Sequence, residues 1–129
     1  AGVGTGGTIT GIGRYLRERK PDVHLIAVEP ASSPLLSQGH AGPHKIQGIG
    51  ANFVPAVLDR SLLSRVQTVE NDAAFAMMHL LAETEGVFCG ISSGAAVSAA
   101  ADVLREDAMR GKTVVAILPD TGERYLSCL

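Results

Sequence analysis

Apolar residues recur at helical spacing through Ile9, Ile12 and Leu16, directly after a stretch, Ala1 to Gly7, that is almost all glycine and threonine. This pattern predicts a Gly-rich turn feeding a helix, with Pro21 as the stop. His24 to Glu29 is a short, mostly apolar run ending at Pro30 and predicts a buried strand. From Ala31 to Leu63 no period is sustained, and Pro34, Pro43 and Pro55 alternate with Gly39, Gly42, Gly48 and Gly50, which predicts a long functional loop region with short helical turns. Val66 to Val69 reads as a second strand. Asn71 then caps a helix whose apolar face is Phe75, Met78, Leu81 and Ala82 and which Gly86 closes. After a short extended piece, Val87 to Cys89, Ser92 or Ser93 caps a nearly all-apolar helix from Ala95 to about Arg110, closed by Gly111. Thr113 to Leu118 is the most strand-like run of all. An apolar helix beside an apolar strand implies a covered, mostly parallel sheet in an α/β fold.

Composition narrows the picture. With 129 residues and 46% hydrophobic content, the chain suffices for one core, hence one domain or part of one. With a formal net charge of -2 and scattered Lys and Arg residues, nothing in the sequence points to a nucleic-acid or membrane-surface binder. The longest apolar run, Val114 to Leu118, is far too short to span a bilayer, and the N-terminus lacks the basic and apolar regions of a signal peptide, so a soluble, cytoplasmic protein is expected. Cys89 and Cys128 form no CxxC pair and are expected as reduced thiols. His40 and His44 have metal-like spacing, but they flank Gly42 and Pro43, so no helix aligns them and no metal site is expected. The chain begins immediately before its Gly-rich turn, which in α/β folds is delivered by a strand; on this ground it is expected to be a fragment that lacks that strand.

Three motifs carry chemistry. Gly2-Val3-Gly4-Thr5-Gly6-Gly7-Thr8 combines four glycines, two threonine hydroxyls and a helix N-terminus, which together suit a phosphate. Gly2, Gly4 and Gly7 also satisfy the dinucleotide pattern G-x-G-x-x-G, and Glu29 ends the next strand 22 positions after Gly7, so a dinucleotide is the rival ligand. Hydroxyls at Thr5 and Thr8 suit the extra oxygens of a phosphate monoester better than a bridging pyrophosphate. Gly90-Ile91-Ser92-Ser93-Gly94 matches the hydrolase nucleophile elbow, yet all four histidines precede Ser92, against the Ser, Asp, His order of that fold. Asp120-Thr121-Gly122 matches the aspartic-protease triplet, but the predicted helices contradict the all-β framework such sites need.

Four ordered segments together resemble the cysteine synthase (O-acetylserine sulfhydrylase) family along essentially the whole chain: Gly4 to Gly11, Gln47 to Ala51, Gly90 to Ala96, and Pro119 to Ser127. The resemblance implies the three-layer α/β architecture of fold-type II pyridoxal-phosphate enzymes, with residues 1–129 as most of the larger, C-terminal domain, incomplete at its N-terminal side. By the same resemblance, Gly4, Thr5, Gly6, Gly7 and Thr8 cradle the phosphate of pyridoxal 5'-phosphate, Ser92 bonds its pyridine nitrogen with Thr121 close by, and Gly48, Ile49 and Gly50 line the active-site mouth. The implied reaction is β-replacement, O-acetylserine and sulfide to cysteine and acetate; cystathionine β-synthase and other β-replacing relatives share the motifs. The family's Schiff-base lysine belongs to its N-terminal part, and Lys20, Lys45 and Lys112 match other positions, so this chain alone is expected to be inactive, with exposed apolar surface. The resemblance also implies a homodimer and a serine acetyltransferase partner. A non-catalytic dinucleotide- or phosphate-binding module is the alternative of a different class.

Overall fold

A computed structural model describes residues 1–128. The Gly-rich turn leads into helix α1 (Gly7–Arg19), followed by strand β1 (Ile26–Pro30), a single-turn helix α2 (Leu35–Gln38) and strand β2 (Arg65–Val69). Helices α3 (Asn71–Glu85) and α4 (Ile91–Leu104) form a pair, and a 3-10 segment, Gly122–Cys128, closes the described chain.

β1 and β2 pair in parallel, from Ile26 opposite Arg65 to Pro30 opposite Val69. On the other side of β1, Ala1 to Val3 runs parallel to it: Gly2 bridges Val28, the Val3 amide donates to the Val28 carbonyl at 3.1 Å, and the Val28 amide donates to Ala1 at 2.9 Å. The turn is therefore delivered by extended backbone in these three residues. β1 thus has neighbours on both edges, and its two faces are covered as well, Ala27 by the cluster with Ile9 of α1 and Val28 by the core with Ile91 and Ala95 of α4, so Ala27 to Pro30 are all buried.

α4 packs on both strands, and its small residues let α3 approach closely: a Cβ on Gly94 would collide with the Ala74 carbonyl oxygen and stand 2.9 Å from the Met78 amide nitrogen. The resulting core gathers Val28, Ile46, Met78, Ile91, Ala95 and Ala99. A second cluster, Val3, Ile9, Ala27 and Leu58, lies under the Gly-rich turn and holds α1 on the sheet. No helix among the described residues is long and apolar enough to cross a membrane.

Four expectations are corrected. Thr113 to Leu118 forms no ladder among the described residues, and Val115 is 78% exposed; strand propensity is local, whereas a strand exists only where another backbone offers its N–H and C=O groups. α4 begins at Ile91 with Gly90 as its N-cap, so Ser92 and Ser93 lie inside its first turn with their side chains buried. It ends at Leu104, where Glu106 turns to extended backbone and its carboxylate meets the Arg65 guanidinium at 2.7 Å. Asn71 is the first residue of α3 rather than its cap, and its side chain accepts the Lys45 amide instead. Gly86 does close α3, in the left-handed conformation expected of a C-terminal glycine.

Candidate functional site

The Gly-rich turn is built by close approaches that only glycine permits. Gly6 holds a φ of 87°, and a Cβ there would lie 2.6 Å from that of Leu58. A Cβ on Gly4 would overlap the Gly48 carbonyl oxygen. The Gly50 amide donates to the Val3 carbonyl at 3.0 Å, stitching the 46–50 loop onto the turn. α1 then starts with no cap from Gly6 and no acidic residue in its first turn; the Thr5 hydroxyl oxygen accepts the Gly7 amide at 3.4 Å, and the positive dipole end stays available to an anion. Thr5, Gly7 and Thr8 are exposed here, whereas Thr10 is buried and spends its hydroxyl accepting the Asp59 amide at 3.0 Å.

A second helix N-terminus faces the same space. Ser92 is buried in the first turn of α4 and lines the space that the Gly-rich turn opens onto. A Cβ on Gly48 would stand 3.8 Å from Ser92 Oγ. A cavity of about 360 Å³ brings together Gly4, Thr5, Gly6, Gly7, Thr8, Gly48, Ile49 and Ser92, a size typical of small-molecule sites. Two of the expected residues do not line it. Gly50 is held behind the turn by Val3, with its carbonyl bonded to His44 Nε2 at 2.8 Å. Thr121 is exposed and pairs through its backbone with Cys89.

The rival motifs are otherwise occupied. The Glu29 carboxylate is buried and accepts the Leu36 and Ser37 amides, each at 2.8 Å, so it caps α2 rather than offering itself to a ribose. His44 Nδ1 accepts the Ile46 amide at 3.1 Å, which leaves Nε2 as the protonated nitrogen donating to Gly50, and the ring has no lone pair for a metal. Burial pushes the Cys89 thiol above its ordinary range, while Cys128 is exposed; both are free.

Residues 1–120 match the protein family described as "Pyridoxal-phosphate dependent enzyme". The chain belongs to that family. A cysteine synthase of Staphylococcus aureus is 49% identical over 127 residues, 98% of this chain and 41% of the relative. Among solved structures, a cysteine synthase of Entamoeba histolytica superimposes with a TM-score of 0.95 at 40% identity, over 98% of this chain and 37% of that one. A hydrogen sulfide-producing enzyme of Fusobacterium nucleatum gives 0.93 at 47% identity, over 97% and 42%. The chain thus spans about two-fifths of the length of these relatives.

Within this member of the pyridoxal-phosphate family, the cavity has a wall that sequence reasoning did not assign. Ile117, Pro119, Asp120, Arg124 and Tyr125 line it. Asp120 Oδ2 accepts the Tyr125 hydroxyl and Oδ1 lies 3.5 Å from Ser93 Oγ. The bond to Asp120, reinforced by burial, raises the Tyr125 phenol above its ordinary range and keeps it a neutral donor. The available signal was the position of Asp120 directly after an apolar run, where ligands gather in α/β folds. None of Lys20, Lys45 and Lys112 lines the cavity.

Proposed function

We propose that this chain is the phosphate- and ring-binding part of a cysteine synthase, an enzyme converting O-acetylserine and sulfide to cysteine and acetate with pyridoxal 5'-phosphate. The observation that carries the reading is that one cavity is lined both by Gly4 to Thr8 at the N-terminus of α1 and by Ser92 at the N-terminus of α4. The names of the relatives supply the reaction class.

The residues fit the cofactor. Gly4 to Thr8 would hold the phosphate through backbone N–H groups and the Thr5 and Thr8 hydroxyls, and Ser92 would donate to the pyridine nitrogen, with Gly48 and Ile49 on the mouth side. Bound there, pyridoxal phosphate would supply an electron sink for the α-carbon of an amino-acid substrate. A neutral hydroxyl at the pyridine nitrogen does not hold that nitrogen protonated as a carboxylate would, which favours elimination and replacement over fuller carbanion chemistry. Asp120, the carboxylate on the same wall, does not compete, because its oxygens face Tyr125 and Ser93. We place residues 1–129 in the larger domain, and we assign the covalently bonded lysine to an N-terminal domain outside this chain. Thr121, next to the cavity-lining Asp120, would contribute by pairing with Cys89 just ahead of α4, and Gly50 would set the mouth by holding the loop. The same reading makes the enzyme cytoplasmic and homodimeric, with serine acetyltransferase as a partner; these three elements rest on the family resemblance.

A second reading is favoured by the spread of names at similar identity: O-ureido-L-serine synthase is 46% identical with a TM-score of 0.92. One experiment separates the two. The product of the complete reading frame, loaded with pyridoxal phosphate, is given O-acetylserine with sulfide, and cysteine and acetate are quantified against parallel reactions with other nucleophiles. Cysteine formed fastest with sulfide supports the proposal. Faster replacement by another nucleophile moves the assignment to the second reading, and no replacement with any nucleophile rejects both.

A further inference from the structure

α4 begins without a side-chain cap and without an acidic residue in its first turn. What lies against that turn is Asp120, from 27 positions away. Its carboxylate packs directly on the Cα of the N-cap Gly90, where a Cβ would overlap Oδ1 and stand 2.6 Å from Cγ and 2.7 Å from the Tyr125 ring. It also reaches the Ser93 hydroxyl, and the Gly90 amide donates to the Asp120 carbonyl at 3.3 Å. A negative charge at this place is stabilised by the helix's positive end. Ser92 therefore sits between two residues, Gly90 and Ser93, that Asp120 grips. Tyr125, 8% exposed, holds the other carboxylate oxygen and so fixes the direction in which Asp120 can grip.

We infer that Asp120 and Tyr125 are positioning residues that lock the first turn of α4 so that the Ser92 hydroxyl points into the cavity toward the ring of the bound cofactor. The inference deepens the proposed function and rests on it: the pair acts on the ring end of the ligand and not on the phosphate end, which α1 serves independently. Reorienting a hydroxyl that makes one hydrogen bond to the ring is worth roughly a three- to ten-fold change in affinity.

The test uses the product of the complete reading frame, stripped of cofactor, and two probes, pyridoxal 5'-phosphate and inorganic phosphate. Asp120→Asn and Tyr125→Phe, compared with Ser92→Ala, are expected to raise the Kd for pyridoxal phosphate roughly three- to ten-fold and to leave that for inorganic phosphate unchanged. Tyr125→Phe added to Ser92→Ala is expected to cost nothing more, since the group being positioned is gone. Tyr125→Phe keeps the buried ring and serves if Asp120→Asn does not fold. Equal weakening of both probes, or additive effects in the double variant, would mean a merely structural pair and overturn the inference. If Ser92→Ala alone weakens pyridoxal phosphate, the inference fails while the proposed function stands. Wild-type protein that takes up no pyridoxal phosphate overturns both.

Discussion

Replacing glycine by alanine at two helical positions is expected to change stability in opposite directions. Gly11, in α1, is exposed and has no atom within 4 Å of where its Cβ would lie. Gly11→Ala should therefore stabilise by about 0.5–1 kcal/mol, the ordinary advantage of alanine in a helix. Gly94 in α4 gains the same propensity, but its Cβ meets the Ala74 carbonyl, the Met78 amide nitrogen at 2.9 Å and the Met78 Cβ at 3.0 Å. Two of these three neighbours are backbone, so no rotamer change relieves the overlap and α3 must move away from α4. Overpacking of this kind costs about 1–3 kcal/mol, and rigid backbone neighbours put it toward the upper end. Subtracting the propensity gain leaves a net loss of about 2 kcal/mol for Gly94→Ala. Equilibrium urea unfolding of both variants measures the difference, with unchanged m-values required for the comparison. Gly94→Ala at or above wild-type stability would refute the close α3–α4 packing, and a loss at Gly11 would refute the reading of its surroundings.

Further outcomes follow from other contacts. Glu29→Gln should cost about 1–3 kcal/mol in urea unfolding, because an amide turns N–H toward one of the two backbone donors that the carboxylate satisfies, while the affinity for pyridoxal phosphate should not change. A loss of ligand affinity at constant stability would instead restore Glu29 as a ligand-binding residue. Alkylation with iodoacetamide, mapped by mass spectrometry, should label Cys128 in the native protein and Cys89 only after unfolding, since burial both shields the Cys89 thiol and disfavours its thiolate. The Tyr125 phenol is raised in the folded state, so its contribution to stability is complete below the ordinary tyrosine value of about 10 and is lost as pH rises through the higher folded value. Alkaline titration of phenolate absorbance should show a late-ionising component that Tyr125→Phe removes; its persistence in that variant would contradict the assignment.

The Gly-rich turn could be read from the sequence because its chemistry is local: glycines, hydroxyls and a helix start lie within eight residues. The α1, β1, β2 and α3 signals were local too, and each element appears within a few residues of its expected place. Failures came where the deciding contact was distant. Nothing in Gly90-Ile91-Ser92-Ser93 shows that a carboxylate 27 positions on stands against this helix start, and by local chemistry alone the serines are the natural caps. Thr113 to Leu118 has the composition of a strand, but composition does not provide a partner backbone. Glu29 looked like a ribose ligand by spacing alone, and only the fold shows α2 sitting on its carboxylate.

The central claim is that one cavity holds the phosphate of pyridoxal 5'-phosphate on Gly4 to Thr8 and its ring nitrogen on Ser92. A crystal structure of the complete reading-frame product grown with pyridoxal 5'-phosphate tests it most directly. The account predicts phosphate density within hydrogen-bond distance of the backbone amides at the start of α1 and the pyridine nitrogen within hydrogen-bond distance of Ser92 Oγ. Cofactor density elsewhere, or a ring nitrogen paired with any group other than Ser92, would contradict it.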